Sequence, residues 1–375
     1  MILYSKEIKY KICHLTSAHR SDDTRIYFKE CCSLALANYD IHLVAPNAPD
    51  EIKRCIHLHP VHEVKKNIFL RMTKTVWDVY QNAIKINADI YHFHDPELIP
   101  IGLILKVRGK KVIYDVHEDV PRDIFIKDYI PENLKKIISL LIELLENFAS
   151  KYFDAIVTAT PFIKERFLKL GCLTVDVNNY PILQELDPPN LNWEQKDRAV
   201  CYIGSIRQDR GILTMLEAID KTDVKLLLAG NFAYQEHRDK ARSMSGWNKV
   251  KELGYLNREG VAQTLAKSMA GLVVLHPTVT FLDALPVKMF EYMSAGIPVI
   301  YSNFPLWKQI IEDAQCGICV DPLEPTAIAE AIQWIVDHPD RAKQMGENGR
   351  RAIHEKYNWS NESIKLLDLY DKLIN

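Results

Sequence analysis

Residues 282–298, LDALPVKMFEYMSAGIP, place two acidic residues around the start of a predicted helix. Asp283 lies in the loop, and Glu291 follows inside the helix. Pro286 is typical of a helix start because its ring fixes φ near the helical value. The first turn of a helix presents unpaired N–H groups and partial positive charge, which suits a phosphate. An ordinary amphipathic helix has the same pattern, so this stretch alone does not decide the function.

A second candidate for phosphate binding follows the predicted strand AVCYI. Residues 204–211, GSIRQDRG, combine a glycine turn with two arginines and a predicted helix start. The planar guanidinium of arginine can donate two parallel hydrogen bonds to phosphate oxygens. Arg207 and Arg210 are therefore candidate ligands, although either could instead be a solvated surface charge.

Predicted strands and helices alternate along the chain, which favours mostly parallel sheets covered by helices on both faces. Before the break the predicted strands are KICHLTS, IHLVA, ADIYHFH, KKVIYDV and DAIVTAT, and after it AVCYIGS, VKLLLAG, KVKELGYL and AGLVVLHP. The break is residues 181–193, PILQELDPPNLNW, whose three prolines indicate an inter-domain linker. The pattern predicts two doubly wound α/β domains with ligands at the carboxyl ends of the strands.

Residues 282–298 and 204–211 together resemble the donor site of the family-4 retaining glycosyltransferases, also called glycosyltransferase group 1, which have the GT-B fold. The resemblance implies that Glu291 binds the ribose hydroxyls of a sugar nucleotide and that Asp283 contacts the transferring sugar. The N–H groups of Val287 and Lys288 would face the diphosphate. The family usually has Glu at the first acid and often Gly where this chain has Pro286.

The resemblance also assigns the turn at residues 204–211 to the diphosphate. Arg210 falls on a family lysine, and Arg207 stands in for a family arginine that would align with Ser205, next to Gly204. The nucleobase would lie near residues 253–256, which end in Leu256. Since we find no convincing DxD motif, we expect a metal-independent enzyme with no cofactor besides its nucleotide-sugar substrate, and we assign no residue to a metal.

The resemblance divides the chain into two Rossmann-like domains that face a cleft. Residues 1–180 would be the acceptor-side domain and residues 194–357 the nucleotide-sugar-binding domain. Two predicted helices, at residues 339–355 and 359–373, end the chain. In the GT-B fold the final helix, here within residues 359–375, crosses back to the N-terminal domain.

Several polar residues follow predicted strands of the N-terminal domain. His117 matches a family histidine near the donor sugar, where it would position a sugar hydroxyl, although a core histidine would have the same pattern. His94 and Asp95 are expected on the floor of the cleft. The loop at residues 16–25 lacks the usual glycines, and its His19 and Arg25 are expected to shape the acceptor site.

The composition limits the possible partners. With 47 basic and 49 acidic residues the net charge is −2, which does not favour nucleic-acid binding. We find no signal peptide and expect the eight cysteines to be thiols in a cytoplasmic protein. An apolar helix after Pro131 is expected to be buried, and the alternative is peripheral contact with the inner face of a membrane that carries a lipid-linked acceptor.

The resemblance implies a retaining hexosyltransferase that moves a sugar from a nucleotide-diphosphate sugar to a glycan or lipid-linked acceptor, as in polysaccharide biosynthesis. Same-face attack, with the leaving phosphate taking the acceptor proton, is the mechanism that we adopt as a hypothesis. Two alternatives stay open: a GT-B sugar-nucleotide epimerase, and a non-catalytic nucleotide-binding partner subunit.

Overall fold

The computed structural model describes residues 10–62, 71–127, 130–183, 185, 186 and 193–374. Part of the predicted linker therefore lies outside the described residues. The chain divides into two compact units, the first comprising Met1–Asn179 with Asn361–Asn375 and the second Tyr180–Ser360.

Unit 1 contains an eight-stranded sheet in the order β3-β4-β2-β1-β5-β6-β7-β8. All its strand pairs are parallel except β3 with β4. The strands are β1 (Lys11–Leu15), β2 (Asp40–Pro46), β3 (Ile52–Lys53), β4 (Ile56–Val61), β5 (Ile90–Phe93), β6 (Lys111–Val116), β7 (Ala155–Thr158) and β8 (Thr174–Asp176). The strand order reverses at β1, which lies between β2 and β5, so polar groups at the ends of β1, β5 and β6 meet at one edge of the sheet.

Helices connect these strands. They are α1 (Cys32–Leu36), α2 (Val76–Ile86), α3 (Ile99–Val107), α4 (Val120–Asp123), α5 (Glu132–Ser150) and α6 (Pro161–Lys169), with π-helical turns at Thr24–Cys31 and Arg71–Thr75 and 3₁₀ turns at Pro96–Leu98 and Ile124–Ile126. The sequence predicts a helix over residues 21–37, but the helical segment begins at Thr24, and its first two turns are π-helical. Asp23 caps this segment because its Oδ1 accepts hydrogen bonds from the N–H groups of Arg25 and Ile26.

Unit 2 contains a six-stranded parallel sheet in the order β11-β10-β9-β12-β13-β14. The strands are β9 (Ala199–Ile203), β10 (Lys225–Ala229), β11 (Val250–Gly254), β12 (Ala270–Val273), β13 (Val299–Ser302) and β14 (Gly317–Val320). Here the order reverses at β9, which lies between β10 and β12. The loops after β9 and β12 are therefore the expected ligand-binding loops of this unit.

The helices of unit 2 pack on both faces of its sheet, each face with its own apolar core. They are α7 (Ile212–Asp220), α8 (Gln235–Arg242), α9 (Arg258–Lys267), α10 (Val287–Ser294), α11 (Pro305–Ala314), α12 (Pro325–Asp337) and α13 (Pro339–Glu355), with 3₁₀ turns at Trp193–Gln195, Gln208–Arg210 and Ser245–Lys249. The predicted two-domain α/β architecture is thus confirmed.

The last helix, α14 (Trp359–Ile374), begins in unit 2 and continues in unit 1 from Asn361. Within unit 1 it is held by buried polar contacts. The carboxylate of Glu362 accepts a hydrogen bond of 2.8 Å from the backbone N–H of Asn178, and the Tyr370 hydroxyl lies 2.8 Å from Nδ1 of His92. This helix is the predicted crossing helix of the fold.

Helix α5 presents its apolar side to solvent, which contradicts the expectation of a buried helix. Its buried residues include Lys135, Ser139 and Glu146. Glu146 has polar partners in the interior, because it accepts a hydrogen bond of 2.6 Å from the Tyr114 hydroxyl and pairs with Arg166. The exposed side chains of this helix are mostly large and apolar: Leu134, Ile137, Leu140, Leu141, Leu144, Leu145 and Phe148. The sequence shows that one face of α5 is apolar and the other polar. The interior partners of Glu146 determine that the polar face packs against the unit.

Candidate active site

The turn after β9 brings Gly204 beside the side chain of Lys288. Gly204 has φ +134°, in the region that favours glycine, and a Cβ atom there would lie 3.0 Å from Nζ of Lys288. The turn ends at Gly211, which has φ +81° and where a Cβ atom would lie 2.2 Å from the carbonyl oxygen of Val274. The two glycines therefore let the turn approach α10 and the loop after β12 closely.

Lys288, in the first turn of α10, is half-buried, and its side-chain nitrogen is fully buried. Its Nζ has no hydrogen-bond partner among the described residues and lies 3.8 Å from the ring centroid of Tyr202. Burial, and then the nearby charge of Arg210, lower the pKa of this ammonium group well below its ordinary value. An ammonium group that is removed from water without an anion is costly, so the site is suited to receive one.

Arg210 ends the 3₁₀ turn at Gln208–Arg210 and, like Lys288, has a buried donor atom. Its Nε is buried, and within the described part of the chain that atom has no hydrogen-bond partner. The guanidinium lies 5.9 Å from the ring centroid of Phe281. Two half-buried basic side chains, each with one buried donor atom that lacks a partner among the described residues, thus come together in unit 2.

Arg207 is engaged differently from Arg210. Its Nε and Nη2 donate hydrogen bonds of 2.9 and 2.8 Å to the carboxylate of Asp209 in the same turn. A phosphate contact from Arg207 would have to replace this pair. Ser205 is exposed, and its carbonyl oxygen accepts a hydrogen bond of 2.9 Å from the Tyr202 hydroxyl.

The start of α10 supplies backbone groups to the same site. Val287 is the first helical residue, and Pro286 precedes it in an extended conformation without a side-chain cap. The loop before it is fixed because the indole N–H of Trp307 donates a hydrogen bond of 2.7 Å to the carbonyl oxygen of Ala284. Asp283 lies half-buried in this loop. Helix α10 thus begins where the sequence predicted a helix start, and the anion site at its N-terminus stays a prediction.

Glu291 is buried on α10 and is paired with a residue that the sequence analysis missed. Its Oε1 accepts a hydrogen bond of 2.7 Å from Nη1 of Arg258, which also donates two hydrogen bonds of 2.8 Å to Glu185. Burial disfavours the charge of Arg258, but the two carboxylates outweigh burial and raise its pKa. Arg258 therefore fixes the position of the predicted ribose ligand.

The predicted nucleobase loop follows β11, at one end of the sheet. Gly254 turns there with φ +67°, and Leu253 and Leu256 pack against the apolar core that also contains Phe290 of α10. Asn257 then caps α9, since its side chain accepts a hydrogen bond of 2.9 Å from the N–H of Gly260. The loop thus joins Leu256 directly to Arg258.

In unit 1, His117 lies at the end of β6 and is 16% exposed. Its Nε2 is 3.1 Å from Oδ2 of Asp115 and 3.1 Å from Nδ1 of His94. Burial lowers the pKa of His94 to about 4, so that ring is neutral near pH 7. His117 is thus held by buried neighbours while part of its ring reaches solvent, as a residue that positions a substrate requires.

The other predicted acceptor-side residues have different environments. Asp95 is buried and its Oδ2 accepts hydrogen bonds of 2.7 Å from the Thr16 hydroxyl and the Ser17 N–H, so it orders the loop after β1. His19, on that loop, is 34% exposed and its ring lies 5.1 Å from that of His117. Hydrogen bonding to Asp23 outweighs burial and raises the pKa of His19. Among these residues His19 has the access that an acceptor contact needs.

Arg25 is not at a position for an acceptor contact, which corrects the prediction. It is buried, and its Nε and Nη2 donate hydrogen bonds of 3.0 and 2.9 Å to Asp115. Its Nε also lies 3.1 Å from Glu30. The sequence of a loop does not distinguish a surface arginine from a buried one, because the carboxylates that pair with a buried arginine can come from distant segments of the chain.

Two family models match the chain. The model described as "Glycosyltransferase Family 4" matches residues 29–176, and the model described as "Glycosyl transferases group 1" matches residues 184–352. The chain is similar to D-rhamnosyltransferase WbpZ of Pseudomonas aeruginosa, with 23% identity over 80% of this chain and 78% of that protein.

Solved structures share the fold. Sucrose-phosphate synthase from Thermosynechococcus elongatus superposes with a TM-score of 0.78 and 19% identity, covering 97% of this chain and 98% of that one. Anabaena HepE in complex with UDP-glucose superposes with a TM-score of 0.72 and 13% identity, covering 97% of this chain and 99% of that one. Together with the two family matches, which account for most of its length, these likenesses show that the chain belongs to the GT-B glycosyltransferases of group 1 and family 4.

Proposed function

We propose that this protein is a retaining hexosyltransferase that uses a nucleotide-diphosphate sugar and binds its diphosphate without a metal ion. The observation that carries the proposal is the pair of buried cationic groups, Nζ of Lys288 and Nε of Arg210, that lack hydrogen-bond partners among the described residues. Two such groups beside a helix N-terminus fit a diphosphate. The complexes of HepE with UDP and UDP-glucose support this class of donor.

The chemistry explains why such a cationic site is useful. The bond between C1 of the sugar and the phosphate oxygen breaks, and negative charge grows on the departing diphosphate. Positive groups fixed at that place stabilise the transition state. The acceptor oxygen forms its bond to C1 on the same face, and its proton passes to the departing phosphate oxygen.

The other residues take roles around this reaction. Glu291, fixed by Arg258, accepts hydrogen bonds from the ribose hydroxyls. Asp283 contacts the transferring sugar, and His117 donates or accepts a hydrogen bond at a sugar hydroxyl. The acceptor is a glycan or a lipid-linked glycan, which the names of relatives support, among them the phosphatidyl-myo-inositol mannosyltransferase of Mycobacterium leprae at 19% identity.

Replacing Glu291 by Ala tests the donor assignment. We first identify the base by a thermal-shift screen of nucleoside diphosphates, and then measure the affinity for that ligand by titration calorimetry. The variant should bind at least tenfold more weakly, since hydrogen bonds to a charged group contribute about 1.5–3 kcal/mol. Glu312→Ala, which removes an exposed carboxylate of α11, is the matched control. Equal affinities of Glu291→Ala and wild type would rule out the ribose contact.

We also propose that the exposed side of α5 contacts the surface of a membrane that carries the acceptor. Its Leu141 and Leu144 are 60% and 57% exposed, and exposed lysines, Lys136 and Lys151, lie along and just after the helix. Large apolar side chains with flanking lysines suit the interface of an anionic bilayer. Among the described residues, none of the helices has the length and apolar character needed to cross a membrane.

Flotation with vesicles of phosphatidylglycerol and phosphatidylethanolamine tests this contact. The double variant Leu141→Glu/Leu144→Glu should stay in the soluble fraction while the wild type floats with the vesicles. Leu36→Glu changes another leucine of unit 1, 85% exposed on α1, and should float like the wild type. If the double variant floats as well as the wild type, α5 is not the contact.

A further inference from the structure

The interior of unit 1 brings four potential metal ligands together, apart from the residues proposed to bind the donor. They are His14, Glu30, His92 and His94, all buried, with one ligand atom from each within 4.8 Å of the others. His14 in β1 and His92 in β5 are register partners, and His94 follows on the same face because side chains alternate along a strand. Glu30 comes from the π-helical turn Thr24–Cys31.

Several atoms of this cluster are unsatisfied. Both carboxylate oxygens of Glu30 and Nε2 of His92 are buried and have no hydrogen-bond partner among the described residues. Arg25 lies 3.1 Å from Oε1 of Glu30, but it already donates two hydrogen bonds to Asp115. One guanidinium therefore faces two buried carboxyl groups.

We propose that His14, His92, His94 and Glu30 bind a divalent transition-metal cation of the Zn²⁺ class. Three imidazole nitrogens and one carboxylate oxygen are a donor set that suits this ion. Nδ1 of His14 lies 3.0 Å from Nε2 of His94 and 3.9 Å from Oε2 of Glu30, and the latter two atoms are 4.0 Å apart. Metal–ligand bonds of ~2.0–2.1 Å in a tetrahedron imply ligand separations of ~3.3 Å, which these distances bracket.

The surroundings of the ligands also fit a metal site. Histidine ligands usually bond through their second nitrogen to a polar neighbour, which fixes the ring. Here Nδ1 of His92 lies 2.8 Å from the Tyr370 hydroxyl, and Nδ1 of His94 lies 3.3 Å from Oδ2 of Asp115. Four buried protein ligands leave no open position, so the ion is structural, and through Tyr370 it holds α14 against unit 1.

Two other groups of potential ligands are weaker. His94 also lies near Asp115 and His117, but both carboxylate oxygens of Asp115 already accept hydrogen bonds from Arg25. Asp40, His42 and His57 form a third group on β2 and β4. Within the described part of the chain this group offers three ligands and one unsatisfied atom, Nε2 of His42, whereas the proposed site offers four ligands and three unsatisfied atoms. His57 is half-exposed and therefore provides a matched control.

The experiment measures the metal content of the tag-free protein. Because the site is closed, each variant is refolded from denaturant with excess Zn²⁺, passed over chelating resin, and analysed by mass spectrometry of the metal. Wild type and His57→Ala should retain about one equivalent, and His92→Gln and Glu30→Gln less than about a tenth. Refolding with Co²⁺ should give the visible absorption of a tetrahedral site in wild type but not in Glu30→Gln.

The possible outcomes decide the proposal. A wild type that retains less than about a tenth of an equivalent overturns it whether or not the variants fold, since a closed four-ligand site holds its ion tightly. Retention in His92→Gln with loss in His57→Ala moves the metal to the third group and also overturns it. Circular dichroism of the refolded variants shows which of them have folded.

Discussion

Replacing Lys288 by Met tests how the donor's diphosphate is bound. Methionine keeps the apolar stem of lysine and removes its charge, so the change affects the buried Nζ and little else. In the free protein that Nζ has no hydrogen-bond partner among the described residues. The loss of a buried amino group without a hydrogen-bond partner should therefore stabilise the free protein while it weakens the binding of a nucleoside diphosphate.

General magnitudes for hydrogen bonds and for thermal unfolding set the scale of both effects. A hydrogen bond to a charged group contributes about 1.5–3 kcal/mol, so the variant should bind the diphosphate ~10- to 150-fold more weakly. Each kcal/mol gained in the free energy of unfolding should raise the Tm of a domain of this size by roughly 2–4 °C.

The lowered pKa of Lys288 adds a proton signal. Between that lowered pKa and the ordinary lysine value of about 10.4, the unfolded chain binds more protons at this side chain than the folded chain does. The stability of the free protein should therefore rise with pH in this window. A bound phosphate favours the charged form and should raise this pKa, so at a pH between the two values binding should take up a proton from the buffer.

Calorimetry in buffers of different ionisation enthalpy measures this uptake, and thermal denaturation across pH measures the stability. Lys308→Met is the matched control because Lys308 lies on α11 of the same unit with its side chain 52% exposed. The control should bind, titrate and unfold like the wild type. If Lys288→Met binds the diphosphate as tightly as wild type and takes up the same number of protons, Lys288 does not contact the phosphate.

Three further substitutions test the surroundings of the site. Arg258→Ala leaves Glu291 without its partner and should weaken nucleotide binding at least tenfold in a calorimetric titration, whereas unchanged binding would show that the pair does not position the ribose ligand. Arg25→Ala leaves the buried carboxylate of Asp115 without its guanidinium partner and should lower the free energy of unfolding by about 3–5 kcal/mol in denaturant titrations. A cost below about 1 kcal/mol would contradict the buried pair. Gly211→Ala should lower the Tm, because φ +81° strains alanine and its Cβ would lie 2.2 Å from a carbonyl oxygen; an unchanged Tm would show that the turn relaxes freely.

The sequence predicted the features that depend on local pattern. The alternation of strands and helices gave both sheets, and the proline before α10 gave the start of that helix. Arg210 lies in a glycine turn and Lys288 lies at a helix start, and both features can be recognised in the sequence as candidate phosphate sites. Their buried, unsatisfied donors required the structure, because burial is set by the packing of the whole unit.

The features that sequence reasoning missed depend on distant partners. Arg258 and Glu291 are 33 residues apart and pair only because the loop after β11 lies beside α10. Helix α5 has a clear apolar stripe, but the pattern does not say that Glu146 finds partners in the interior. Arg25 was misplaced for the same reason, since its carboxylate partner lies 90 residues away on β6.

The affinity for nucleoside phosphates in the presence of EDTA tests the metal-free diphosphate site most directly. With the preferred base known, titration calorimetry compares the nucleoside diphosphate with its monophosphate, each in EDTA and in Mg²⁺. Because Lys288 and Arg210 supply the positive charge, the diphosphate should bind equally well in both buffers and at least about tenfold more tightly than the monophosphate. Diphosphate binding that requires Mg²⁺, or that is no tighter than monophosphate binding, would contradict the account.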